Sequence, residues 1–165
     1  AFIFEGLSHP DVIPFYGVRY DSLEATSAQM DWYHQLKEGG TGLAWKMTEE
    51  RTGEKIGVIA VYAYKPEHKK AEVGFWLLPK FWSKGYAAEA LHAVMEYWKK
   101  EKGLHRMEAF VEEGNGASSK LLERSGFQHE GTMRDGEIKD GKFISLQIYA
   151  RIVSGQETNS KSSSL

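Results

Sequence analysis

The order of elements in the sequence predicts a mixed α/β fold: helices, three strands, a helix, a strand, a helix and two strands. Three successive strand-like runs joined by tight turns pair antiparallel, whereas a strand, a long helix and another strand make a parallel crossover. The expected product is a mostly antiparallel central sheet with one parallel pair in its middle and helices on both faces. At 165 residues the chain suits one domain, taken as 1–153. The polar, serine-rich residues 154–165 read as a disordered tail.

Residues 1–40 read as helical. Phe2, Ile3 and Phe4 open an apolar stretch that Ser8-His9-Pro10 interrupts. Asp21 and Glu24 then resemble a capping box, and Leu23, Met30, Tyr33 and Leu36 recur at helical spacing until Gly39-Gly40. Strands follow at 42–47, 55–64 and 70–78, joined by Thr52-Gly53 and by a charged tip. That tip holds Lys65, Lys69 and Lys70, read as solvated. A helix from 84 to 102 carries the apolar stripe Ala87, Leu91, Val94, Met95 and Trp98, with Gly103 as its C-terminal cap. A strand at 105–111, a short helix at 117–124 and strands at 127–134 and 143–152 complete the chain, with Asp140-Gly141 as the last turn signal.

Composition narrows the function. Hydrophobic residues make up 41% and charged residues 27%, a balance that can bury a core. The longest apolar run, around 58–64, ends by Lys65 and is too short to cross a bilayer. A net charge of −2 does not call for nucleic acid. The absence of cysteine removes disulfides, thiol nucleophiles and thiolate metal sites, and the six histidines lack metal-ligand spacing, so no metal is expected. With no secretory signal visible, a cytoplasmic location is expected.

The chemistry is concentrated in Phe81-Trp82-Ser83-Lys84-Gly85-Tyr86-Ala87-Ala88, between a strand and the long helix. A helix start offers unpaired N–H groups and the positive end of the macrodipole, which suit a phosphate. Gly85, Ala87 and Ala88 allow close approach to the backbone, and Lys84 adds a charge. The plainer reading is that Gly85 only starts the helix and the alanines only pack it. Neither a Walker A loop nor a G-x-G-x-x-G turn is present.

Ala71-Glu72-Val73-Gly74-Phe75-Trp76-Leu77-Leu78-Pro79, followed by Trp82 to Ala90, resembles the acetyl-CoA motif of GCN5-related N-acetyltransferases. Asn115 to Phe127, with Glu130-Gly131 after it, resembles the second motif of that family. The nearest branch is the bacterial ribosomal-protein acetyltransferases acting on serine or alanine termini. Many members place Gln or Arg where this chain has Trp82. The family's opening strand has no counterpart before Phe2 and the chain begins without methionine, which reads as an N-terminal truncation.

The resemblance implies an enzyme that moves an acetyl group from acetyl-CoA to an amine by direct attack, on a GNAT-like sheet whose central parallel pair is splayed. It assigns pantetheine binding to backbone groups of Phe75, Trp76, Leu77 and Leu78, and the phosphates to Trp82, Ser83, Lys84, Gly85, Tyr86, Ala87 and Ala88. Asn115 matches a pantetheine-binding asparagine, though it could equally be a helix N-cap. Ser118 matches a serine that protonates the departing thiolate, though first-turn serines also satisfy backbone groups. Two glutamates are candidate bases: Glu72 beside the splayed strand, and Glu137 in the link between the last strands. Glu137 stands slightly ahead, because it matches the glutamate of the serine-terminal branch; either could be a surface carboxylate. The acceptor is a protein N-terminus or a small amine, and a homodimer is among the assemblies the resemblance allows. The alternative function is a non-catalytic acyl-CoA-binding or regulatory module.

Overall fold

The computed structural model describes residues 1–153; the reading of a tail at 154–165 lies outside the described residues. Ten principal elements follow one another: α1 (Phe2–Leu7), α2 (Ser27–Glu38), β1 (Leu43–Thr48), β2 (Lys55–Lys65), β3 (Lys70–Leu77), α3 (Tyr86–Lys102), β4 (Arg106–Glu112), α4 (Gly116–Arg124), β5 (Gln128–Lys139) and β6 (Lys142–Ile152). The strands form one sheet in the order β1-β2-β3-β4-β6-β5. All neighbours are antiparallel except β3 and β4. No helix among the described residues is long and apolar enough to cross a membrane.

The parallel pair is the feature that shapes the molecule. β3 and β4 pair only at Lys70↔Arg106, Ala71↔Met107 and Glu72↔Glu108. Beyond that rung β3 stays with β2 as far as Leu77, and β4 stays with β6 as far as Glu112. The two strands therefore part like a fork. Its closed end is pinned by Glu108, which is buried and accepts from Lys70 Nζ at 3.1 Å and Arg106 Nε at 2.8 Å. Burial works against the charge on Glu108, but hydrogen bonds from Arg106 and Lys70 outweigh it and hold its carboxyl below the usual range. Lys70 thus belongs to this pin and not to a solvated tip.

Each face of the sheet has its own core. On one face α3 lays Leu91, Val94, Met95 and Trp98 over Ile59, Val61, Val73 and Met107. The helix ends on Gly103 at φ 61°, whose N–H donates to the Lys99 carbonyl, while the Leu104 N–H donates to that of Trp98. On the other face α1 and the segment after it cover Val58, Trp76 and Leu78 with Leu7 and Val12.

Two local expectations are corrected. The apparent capping box at Asp21 starts no helix. The hydroxyl of Ser22 accepts from Ala25 N at 3.1 Å, and the Thr26 hydroxyl donates to Leu23 O, so the segment closes into turns and α2 begins at Ser27. Leu23 and Met30 are accordingly exposed, while Gln29 and Leu36 face inward. Glu137 is not in a link: β5 bulges between Met133 and Glu137, with Asp135 at φ 51°, and resumes pairing at Glu137↔Ile144. The turn is where expected, with Asp140 (φ 50°) and Gly141 (φ 73°) both left-handed as a tight hairpin needs.

Candidate active site

The fork opens into a cleft of about 1240 Å³. It is lined by Glu72, Val73, Gly74 and Phe75 of β3, Phe110 to Glu112 of β4, Ser118 of α4 and its N-cap Asn115, Glu137 of β5 and residues of the 10–20 segment. Four residues singled out for chemistry in the sequence, Glu72, Glu137, Asn115 and Ser118, thus meet in one cavity although they come from three separate elements and a cap.

Glu72 occupies the last rung before the strands part and is half-buried. Burial, reinforced by the charge of Glu108, pushes its carboxyl above the ordinary range, with Lys70 and Lys65 opposing. Glu137 is exposed at the other side of the cleft. Between them lies Tyr62, which the sequence did not mark: its hydroxyl is pushed up to about 12 by burial and by the charges of Glu72 and Glu137. Gly74 makes room for that ring, since a Cβ there would stand 3.3 Å from the Tyr62 hydroxyl.

Backbone direction along β3 follows from one bond. Leu78 N–H donates to Ile56 O at 2.9 Å, so antiparallel alternation also sends the polar groups of Trp76 and Gly74 toward β2. The groups of Val73, Phe75 and Leu77 consequently face the open side of the fork. The Trp82 indole donates to the Leu77 carbonyl at 2.8 Å and satisfies one of them. Of the four residues assigned to pantetheine, Phe75 lines the cleft with unengaged backbone, whereas Trp76, Leu77 and Leu78 bury their side chains in the core.

The helix start behaves as an anion site requires. Gly85 is the N-cap of α3 at φ 85°, with open space where a Cβ would stand and no side chain to cap the first amides. Ser83 is also left-handed, at φ 57°. Trp82, Ser83, Lys84 and Gly85 are exposed and Tyr86, Ala87 and Ala88 half-buried, so the amides of the first turn stay reachable. These features fit a coenzyme A diphosphate at α3 and its pantetheine arm in the fork.

At α4, Asn115 is the N-cap: its Oδ1 accepts from Ser118 N at 3.3 Å and its Nδ2 donates to Ser118 Oγ at 3.0 Å. The capping alternative is therefore realised, and it also orients the serine. Among the described residues no group of three or more His, Asp or Glu is placed to hold a metal ion.

Comparison with known proteins shows the family. Residues 1–128 match the model of the acetyltransferase (GNAT) domain. An uncharacterized N-acetyltransferase of Bacillus subtilis, YoaA, is 31% identical over 149 residues, which are 90% of this chain and 84% of that protein. The solved structure of RimL, a ribosomal L7/L12 alpha-N-protein acetyltransferase in complex with coenzyme A, aligns with a TM-score of 0.73 at 27% identity, over 79% of this chain and 73% of that one. A spermidine N-acetyltransferase from Vibrio cholerae, in complex with CoA and spermine, shares the fold at a TM-score of 0.80 and 18% identity, covering 93% and 89% of the two chains. The chain belongs to the GNAT acetyltransferase family, enzymes that move an acetyl group from acetyl-CoA to an amine.

Proposed function

We propose that this N-acetyltransferase works by direct attack of a primary amine, with Glu72 as the base and Ser118 as the acid. The observation that supports it is the single cleft lined by Glu72, Glu137, Phe75, Asn115 and Ser118. Acetyl-CoA, when bound, supplies an activated thioester carbonyl. The first turn of α3 would receive its phosphates, and the open edge of β3 at Phe75 would hydrogen-bond the pantetheine arm. A free β3 amide is also suited to a developing oxyanion.

An amine reaches the cleft as an ammonium ion, since α-amines and lysines titrate near pH 8 and about 10.4. Glu137 and Glu72 attract that cation, and Glu72 takes its proton. The half-buried position of Glu72 favours it over exposed Glu137, because burial brings its proton affinity closer to that of the amine. Asn115 occupies a lone pair of Ser118 Oγ, which leaves the serine hydrogen free to donate to the leaving sulfur. With no cysteine in the chain, no acyl-thioester enzyme forms. A cytoplasmic setting and a homodimer belong to the same reading.

The test is acetyl-CoA-dependent thiol release against amines and peptides. Ser118→Ala is expected to lower kcat about tenfold or more with little change in KM for acetyl-CoA. Tight CoA binding without turnover on any acceptor would mean a binding module instead. On the donor side, Gly85→Ala is expected to weaken CoA binding roughly tenfold by calorimetry, because a Cβ at positive φ strains the loop by about 1–2 kcal/mol and shifts the first amides.

A further inference from the structure

We propose that the acceptor is a small primary amine with a single positive charge carried on an aromatic or similarly flat apolar body; this rests on the acetyl-transfer reading above. The charges of the cleft come first. Glu72, Glu112, Glu137 and Asp140 line it. Glu112 is paired with Lys139 at 2.6 Å and Asp140 with Arg19 at 3.1 Å. Among the described residues, Glu72 and Glu137 have no cation within ion-pair distance. Within the cleft lining, negative charge without an ion-pair partner is thus confined to one pair of carboxylates, with Lys65 and Lys70 acting on Glu72 from outside the lining, enough to draw in one ammonium. The further ammonium groups of a polyamine would meet carboxylates already neutralised, with Arg19 and Lys139 beside them.

The walls are aromatic. Tyr16, Tyr20, Trp32, Tyr62 and Phe75 all line the cleft. Trp32 and Tyr62 meet edge to face at 5.5 Å between ring centroids, so the two rings brace each other. Burial holds the Tyr16 hydroxyl far above the ordinary tyrosine range, so this wall is neutral at working pH. Such a surface gives little to a polar chain and much to a ring, through apolar burial and edge-to-face contacts.

The rims are tied together. Lys139 Nζ donates to Pro14 O, and Arg19 pairs with Asp140, so the 10–20 segment is strapped to the turn between β5 and β6. An extended polypeptide leaving the cleft would have to break these ties, whereas a small amine fits beneath them.

The experiment compares phenethylamine, spermidine and a hexapeptide with a free N-terminal serine as acceptors, by thiol release from acetyl-CoA. The kcat/KM for phenethylamine is expected to exceed the other two by at least about tenfold. Trp32→Ala should raise KM for phenethylamine about tenfold and leave KM for acetyl-CoA unmoved. A thermal melt checks that the variant is folded, and Trp32→Leu serves if it is not. Preference for spermidine or the peptide would overturn the inference while leaving acetyl transfer intact, as would an unmoved phenethylamine KM. No turnover on any of the three would overturn both.

Discussion

Replacing Glu72 by Gln is expected to lower kcat about 10²–10⁴-fold, the usual cost of losing a positioned base, while CoA affinity stays unchanged. The same substitution should make the protein more stable at neutral pH. The folded-state proton affinity of Glu72 is raised, chiefly by burial, so the folded chain favours its protonated form. The contribution of Glu72 to stability is fully present below the unfolded-state value and is lost as pH rises through the folded one. Above that window the wild type keeps an ionised, half-buried carboxylate beside the negative Glu108, and the Gln variant does not. Thermal melts near pH 8 should therefore favour Glu72→Gln, and the difference should vanish toward about pH 4. The acid limb of the wild-type kcat/KM profile should lie above the ordinary carboxylate range. If Glu72→Gln kept full turnover while Glu137→Gln lost it, the base would be Glu137.

Gly6→Val is expected to destabilise the fold by about 3 kcal/mol, at the upper end of what overpacking costs. A Cβ on Gly6 would stand 2.0 Å from Cζ3 of Trp76, and that indole is only 3% exposed. Phe2 packs on the same ring at 5.3 Å between centroids, and Leu7 and Val58 belong to the same core. Trp76 has no open direction to move. Valine's better helix propensity returns only about 0.4 kcal/mol, so the clash decides the outcome. For a chain of this size the loss corresponds to a Tm lower by about 6–12 °C. Gly17→Ala is the control, since a Cβ there meets nothing within 4 Å. The consequence reaches function, because Trp76 lies on β3 just past the point where the fork opens.

The elements most legible in the sequence are those whose determinants are local. The stripe from Leu91 to Trp98 and the closing Gly103 define α3 within one residue at its C-terminal end, because a buried face and a left-handed cap are properties of neighbouring residues. Asp140-Gly141 marks its turn for the same reason. Locality also misleads. Asp21 and Glu24 have the spacing of a capping box, but the hydroxyls of Ser22 and Thr26 hold the backbone in turns instead.

Short stretches of sequence encode the order of strands and helices, the glycine-centred start of α3, and the family that segments 71–90 and 115–127 resemble. Each of these is encoded in runs short enough for periodicity, turn chemistry or motif spacing to carry. Contacts between distant segments set the rest: β3 and β4 part after Glu72, Glu137 stands in a strand facing the same cleft, and Trp82 is spent on the Leu77 carbonyl. Such contacts also tie the 10–20 segment across the cleft. The reason is physical: proton affinity depends on desolvation and on charges brought close in space. Glu72 acquires both from burial and from Glu108 on another strand, which no spacing along the chain records.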